Sequence, residues 1–335
     1  MARAPILPTN HGDPMGTAPK VRQADAEFKR RIRLCRDAYL ALLDRIEFTT
    51  YTTNKQTYTY ELIVDEHSLP EPGSPSQYRV TANALIPNAV RYEFRTLPAI
   101  LEQMLDETAI LVDQLLGADT PRNWFTVGYV IPSYEKGAAA VWRNIGVQST
   151  EYQALRPTLQ SLLLSEPYQN RLGLIRAREF ELMKGLSSDV KQGLSQQLTA
   201  GLAQGIGPAQ IAKNITAQTG IEERRANRIA RTEINQALRT SRMDETQDAS
   251  TRLGINVRVL HISALSPTTR ATHAARSGEI FTVEQERDWF AEDANAINCK
   301  CTTSEVLVND KGEPLSPGLV ARLEKSRDRW EKENA

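Results

Sequence analysis

A chain of 335 residues has room for a sizeable core, arranged as two domains or as one domain with an extended arm. Apolar residues make up 40% and charged residues 24%, ordinary values for a soluble globular protein, which argues against a fibrous or wholly disordered class. Lys plus Arg and Asp plus Glu both number 41, so no global field attracts nucleic acid, and any such affinity must come from local patches.

Three cysteines, two of them one residue apart, are too few for a disulfide framework and fit a reducing compartment. The N-terminus has no continuous apolar run, so a secretory signal is not expected. No stretch approaches the roughly 18 apolar residues of a membrane-spanning helix. Synthesis and assembly in a cytoplasm are expected, without membrane contact by the folded chain.

Residues 1–23 hold four prolines and two glycines and offer little to bury, which predicts a disordered tail. Asp25 then suits an N-cap. Phe28, Ile32, Cys35, Tyr39, Leu42 and Ile46 follow at spacings of three and four, one face of an amphipathic helix, with Cys35 as a core residue. The period then shortens. Thr49–Thr53 and Tyr58–Val64 are rich in β-branched and aromatic residues and flank Asn54-Lys55, which reads as a hairpin. A loop with Pro70, Pro72, Gly73 and Pro75 precedes a third strand around Tyr78–Ala84.

From Thr96 the helical period returns through Ile100, Met104, Leu111 and Leu115 to a stop at Gly117. Trp124–Ile131 is read as a short strand. Helices are expected over Tyr134–Asn144 and Glu151–Leu164, with one or two more between Tyr168 and Leu198. Pro208 opens a further helix, ending at Gly220. Ser316–Ala335, with Leu319, Leu323, Arg327 and Trp330, suits a short helix able to dock on a partner.

The chemistry concentrates between Arg224 and Cys301. On a helix starting near Arg224, Ala226, Ile229, Ala230, Ile234, Ala237 and Leu238 share one side. Arg224, Arg228, Arg231, Asn235, Arg239 and Arg242 fall nearly opposite. Such a stripe is a solvated face, a protein interface or a DNA-backbone contact; Arg throughout, without Lys, suits carboxylate or phosphate recognition. Glu233 falls among the apolar residues and needs a donor, for which Arg270 is the candidate. Cys299 and Cys301 are too close for an easy disulfide. They either pack in a core or, with His273 and His261, hold a soft metal, and zinc is the one cofactor the residues suggest. Cys–His catalysis would need an orienting group and an oxyanion site, which nothing in the sequence fixes.

In order, Gly201-Leu202-Ala203-Gln204-Gly205, Ile229-Ala230-Arg231-Thr232-Glu233, Arg270-x-x-His273, Gly278 and Asn298-Cys299-Lys300-Cys301 resemble the Mu F-like minor head proteins of tailed bacteriophages, also called phage head morphogenesis proteins. Lys300 stands where the family usually has Arg, His261 where it has Trp, and Ser266 where it has Asp. His261 is then either a replacement ligand or an aromatic exchange in a core.

The resemblance implies a mainly helical α+β fold. A helical adaptor region with a β-hairpin would span 25–200, the Mu F-like core 201–310, and a linker with a short helix 311–335. It also implies a structural, non-enzymatic virion protein of the phage head interior, made in the host cytoplasm. Such a protein would act at the portal vertex in procapsid assembly, with a role in DNA packaging or ejection. Its partners would be the portal protein, the capsid or scaffold lining the procapsid, and packaged double-stranded DNA through non-specific contacts. Thr232, Glu233, Arg270 and Gly278 would hold the core. The alternative is a cysteine- or metal-dependent nuclease or transferase using His273, Cys299 and Cys301.

Overall fold

A computed structural model of the chain describes residues 4–52, 57–65, 77–85 and 90–334, with backbone alone at 52, 57–65 and 77–85. The elements run α1 (Ala18–Asp44), β1 (Phe48–Thr52), β2 (Thr57–Asp65), β3 (Gln77–Leu85), β4 (Val90–Phe94), α2 (Pro98–Leu116), α3 (Ile131–Gln148), α4 (Thr150–Leu155), α5 (Leu159–Leu163), α6 (Glu166–Ala203) and α7 (Pro208–Thr251). They continue with β5 (Val257–Ile262), α8 (Ala271–Ala275), β6 (Ile280–Phe281), α9 (Val283–Ala291), β7 (Thr302–Leu307) and α10 (Pro317–Asn334). The fold is therefore α+β and mainly helical, as expected. Among the described residues no helix is long and apolar enough to cross a membrane.

The chain divides into two compact units: residues 1–36, 109–192 and 219–335 form one, and residues 37–108 with 193–218 the other. The boundary expected near residue 200 is not the observed one. In the smaller unit, β1 pairs antiparallel with β4 and β2 with β3. The hairpin is thus β2–β3 rather than β1–β2, because Phe48 aligns with Phe94 and the outer pair closes around the inner one. The proposed Asn54-Lys55 turn and the Pro70–Pro75 loop lie outside the described residues. Gly205 has φ +64° and its carbonyl accepts from Tyr92 N at 3.0 Å; an added Cβ there would sit 3.0 Å from Tyr92 O.

The larger unit is built on the antiparallel sheet β6-β5-β7. Alternation along β5 sends its side chains to two faces of the sheet. Val257 joins Val141 and Ile145 of α3, Ala249 of α7 and Leu307 of β7. Val259 meets Met243 of α7, Val283 and Phe290 of α9, and both Cys299 and Cys301. Leu260 and Ile262 face the other way, against Leu319 and Leu323 of α10. With both faces covered, all six residues of β7 are buried, including Glu305. Glu305 takes two hydrogen bonds from Arg242 at 2.8 and 3.0 Å and one from Asn144 at 2.7 Å, so the buried carboxylate is fully engaged.

Five local expectations are corrected. Residues 4–17 are not a free tail: Met15 and Thr17 are buried, Ile6 N donates to Asn144 Oδ1, and Ser304 Oγ donates to Ile6 O. Trp124–Ile131 is helical, because Asn123 Oδ1 caps the Thr126 amide and Trp124, Phe125 and Phe28 stack into one aromatic cluster. The helix over 151–164 breaks at Pro157, and Thr158 caps α5 through the Ser161 amide. Gly220 does not stop a helix; α7 runs through it for 44 residues. The C-terminal helix docks on its own sheet rather than staying free for a partner, burying Leu319 and Leu323, with Trp330 Nε1 donating to Ser266 O.

Gly137 brings α3 against α7. A Cβ there would meet Leu238 O at 2.5 Å and Ser241 Cβ at 2.7 Å. Both helices would have to part, so Gly137→Ala lowers stability by about 1–3 kcal/mol, despite alanine's better helix propensity. Urea denaturation of the two proteins measures it; equal midpoints would contradict the close approach.

Candidate metal centre

The polar face of α7 does not lie in solvent along its whole length. Arg224 and Arg228 are exposed, Arg231 is half-buried, and Asn235, Arg239 and Arg242 are buried. The last three are therefore not a surface for a partner or for DNA. Asn235 and Arg239 face the segment joining α9 to β7, whose backbone groups would otherwise be unsatisfied, and Arg242 pairs with Glu305 of β7.

Arg239, 1% exposed, donates to the carbonyls of Ala296, Cys299 and Cys301 at 3.3–3.4 Å. Its guanidinium stacks on the Phe290 ring with 4.4 Å to the centroid. Asn235 donates to Cys299 O at 2.7 Å and accepts from Thr17 Oγ1 at 2.7 Å. Thr232 Oγ1 accepts from Asn298 N at 3.1 Å. From the opposite side Arg270 donates to the carbonyls of Ala294, Asn295 and Ile297 at 2.8–3.3 Å. The segment needs these clamps because Asp293, Ala294 and Asn298 all have φ near +50°, a region L-residues other than Asn rarely occupy.

The clamped segment delivers Cys299 and Cys301 to His273 on α8. His273 Nδ1 lies 3.4 Å from Cys299 Sγ and 3.3 Å from Cys301 Sγ, all three residues are buried, and their ligand atoms lie within 4.8 Å of one another. The Cys301 amide donates to Cys299 Sγ at 3.2 Å. The hydrogen bond from the Cys301 thiol holds Cys299 well below the ordinary thiol value. His273, Arg239 and that amide add to it against the cost of burial. Cys301 is pushed up by the same hydrogen bond and by burial. Two sulfurs and one imidazole nitrogen are the donor set a soft divalent ion takes. A 140 Å³ cavity beside them, lined also by Ser263, Ser266, Thr268, Thr269, Arg231, Arg270, Asn298 and Lys300, leaves room for a fourth donor.

His261 is not that donor, since it lies outside the group of ligand atoms and does not line the cavity. Its Nδ1 lies 2.5 Å from Glu286 Oε1, and its ring packs edge-on against Trp289 at 5.2 Å and stacks on Phe290 at 5.9 Å. The aromatic exchange, not the replacement ligand, is the reading the geometry fits. Burial pushes the Glu286 carboxyl up, but His261 and Arg276 outweigh it and hold the group below its ordinary value.

Arg270, occupied with carbonyls, does not serve Glu233 either. Arg178 of α6 does, and it also contacts Glu179. Glu233 and Glu179 thus face each other between α6 and α7. Gly278 has φ +92°, and a Cβ there would come within 3.1 Å of Glu324 N on α10. Asn144 and Glu305, which complete with Arg242 the network behind the site, went unread in the sequence: their only signal is polar residues recurring on otherwise apolar elements.

Residues 192–304 match the family model described as Phage Mu protein F like protein, which bears out the resemblance read from the motifs over that segment. The chain is also 25% identical over 240 residues to a protein of Enterococcus faecalis (strain ATCC 700802 / V583) named NAD(+)--arginine ADP-ribosyltransferase EFV. That likeness takes in 65% of this chain and 47% of the relative, so the chain spans about half the relative's length. No solved structure matches it.

The Glu233–Glu179 pair lies within and beside the matched segment and gives the fold a pH dependence. Desolvation, then the Glu233 charge, pushes Glu179 up to about 7 from 4.5, and Glu233 is raised with it, chiefly by burial. Glu245 is likewise pushed up to about 7 by burial, against Arg171. A carboxyl whose folded value is raised binds its proton more tightly in the folded chain. Its stabilisation is full below the unfolded value and is lost as pH rises through the folded one. The protein is therefore more resistant to urea at about pH 5.5 than at about pH 8, and Glu179→Gln narrows that difference by supplying a neutral partner throughout. Urea midpoints at the two pH values measure it; a midpoint that rises with pH, or an unchanged difference in the variant, would contradict the shared-proton pair.

Proposed function

We propose that this chain, with its Mu F-like head morphogenesis segment at residues 192–304, is a structural minor head protein acting at the portal vertex during procapsid assembly and retained in the head interior. The observation that carries the reading is the use made of the motif residues. Thr232, Arg270, Cys299 and Cys301 are engaged in holding one segment of backbone, and Glu233 and Gly278 fix the helices beside it. Residues so engaged build a fold, and the structural reading rests on that use of them.

In this reading His273, Cys299 and Cys301 hold a zinc ion, which supplies a cross-link between α8 and the start of β7 in place of a larger core. The three donors fit it by type, spacing and burial, and the favoured Cys299 thiolate fits it by charge. The portal protein and the capsid or scaffold would be met by surfaces outside the motifs. Residues 37–108 are the strongest choice, since they fall outside the family segment and in the smaller unit. Arg224 and Arg228, the exposed end of the stripe, would offer one contact to DNA. A role in packaging or ejection follows from the family resemblance alone.

The second reading is enzymatic. It is favoured by the name of the E. faecalis relative, half of whose length has no counterpart in this chain. Elemental mass spectrometry separates the metal claim: about one zinc per chain is expected, as in structural sites built from Cys and His, and none in Cys299→Ser/Cys301→Ser. His273→Ala is expected to lower both the zinc content and the melting temperature and to reduce incorporation into heads. Folded wild-type protein without metal would remove the zinc centre. Transfer of ADP-ribose from NAD+ to arginine by the purified chain, abolished in His273→Ala, would replace the structural reading with the enzymatic one.

A further inference from the structure

Two cations beside the Cys–His cluster have no internal role. Arg231 is half-buried and Lys300 exposed, and neither has a hydrogen-bond or ion-pair partner among the described residues. Every other arginine of the buried half of α7 is tied: Arg239 to carbonyls and Arg242 to Glu305. Arg231 and Lys300 line the 140 Å³ cavity over the cysteines and also a second cavity, of 270 Å³, against Met15, Thr17, Ala18 and Arg22. They form the wall between the two.

The chemistry of the smaller cavity is one-sided. Its lining contains three fixed cations, Arg231, Arg270 and Lys300, and no carboxylate. Ser263, Ser266, Thr268 and Thr269 add hydroxyls, and Ser266 and Thr269 are held together, with Oγ and Oγ1 3.2 Å apart and Ser266 N donating to Thr269 Oγ1 at 2.8 Å. His273 also lines it, 2% exposed, and its Nε2 has no partner. Against Arg231, Arg270 and Lys300 the two linings set only the Cys299 thiolate and Asp13, so cation exceeds counter-charge around the hollow, and the buried His273 imidazole keeps one nitrogen unpaired. Arg and Lys beside hydroxyl donors match tetrahedral oxyanions, which accept several charge-assisted hydrogen bonds at once.

We infer that Arg231 and Lys300, with the Ser266–Thr269 hydroxyls and the Arg270 charge, form a binding site for one phosphate group above the Cys–His cluster. The site takes a free phosphate or a phosphate of a nucleic-acid backbone; the chemistry recognised is the same. The inference rests on these side chains and not on the zinc reading, and the zinc content of each protein is measured alongside to keep the two apart.

The experiment is titration of the full chain with inorganic phosphate, followed by calorimetry and phosphorus NMR, for the wild type and for Arg231→Gln/Lys300→Gln. Neither residue holds the fold, so the variant is expected to keep its melting temperature and metal content. Phosphate should bind the wild type and bind the variant on the order of tenfold more weakly or less, as charge-assisted hydrogen bonds are lost. A labelled DNA duplex then assigns the source. Displacement of phosphate by duplex, with affinity falling steeply in salt, makes the ligand a backbone phosphate; phosphate binding that duplex leaves unchanged makes it a free phosphate. No phosphate binding to wild type, or equal affinity in a folded variant, overturns the site. Should the double variant unfold, Lys300→Gln alone, at an exposed position, carries the same comparison.

Discussion

A guanidinium cannot be buried without a full set of acceptors, and Arg239 is 1% exposed. The local architecture follows from that requirement. Three main-chain carbonyls, of Ala296, Cys299 and Cys301, turn toward it, and the Phe290 ring covers its face. Those carbonyls can converge only if the chain between α9 and β7 folds back on itself, which it does by placing Asp293, Ala294 and Asn298 at positive φ. Left-handed conformations cost about 1–2 kcal/mol each for residues with a Cβ, somewhat less for Asn and Asp, so the segment does not hold itself. Arg239, Asn235 and Thr232 on one side and Arg270 on the other hold it.

The placement of the sulfurs is a consequence. Cys299 and Cys301 have their carbonyls turned toward Arg239, and between them sits a single residue, Lys300, which remains exposed. Both thiol side chains lie beside His273 of α8. One set of contacts thus links helix, clamp, sulfur pair and imidazole. Of the polar stripe of α7, Asn235 and Arg239 are spent on this arrangement and Arg242 on Glu305, while Arg224 and Arg228 at its other end stay in solvent.

Much of this was legible in the sequence, and the gaps have physical causes. The helical periods before Leu116 and after Pro208 were plain because apolar residues at spacings of three and four have few other uses. The motifs around Thr232, Arg270, His273 and Cys299–Cys301 were legible as spacing, and their convergence is what the structure adds. The arginine stripe misled because periodicity reports a face and not what covers it. Nothing in the order of residues reveals that residues 294–301 arrive over Asn235 and Arg239. Glu233 was assigned to Arg270 as a donor from an element packed on its face, whereas its donor, Arg178, comes from a helix some fifty residues away in sequence. Trp124–Ile131 has the composition of a strand, and tertiary aromatic packing with an Asn123 cap decided for helix. Gly220 looked like a stop, but a glycine ends a helix only where the chain needs positive φ, and here it does not.

Thr232, Asn235 and Arg239 on α7 hold the segment 294–301. Amide hydrogen exchange tests this hold most directly, comparing wild type with folded Arg239→Met. Slow exchange is expected at Asn298 and Cys301 in the wild type, where Thr232 Oγ1 and Cys299 Sγ accept their N–H groups. Marked acceleration is expected at those two amides in the variant, with α3 and β5 little changed. Exchange at Asn298 and Cys301 that is already fast in the wild type, or that Arg239→Met leaves unaltered, would contradict it.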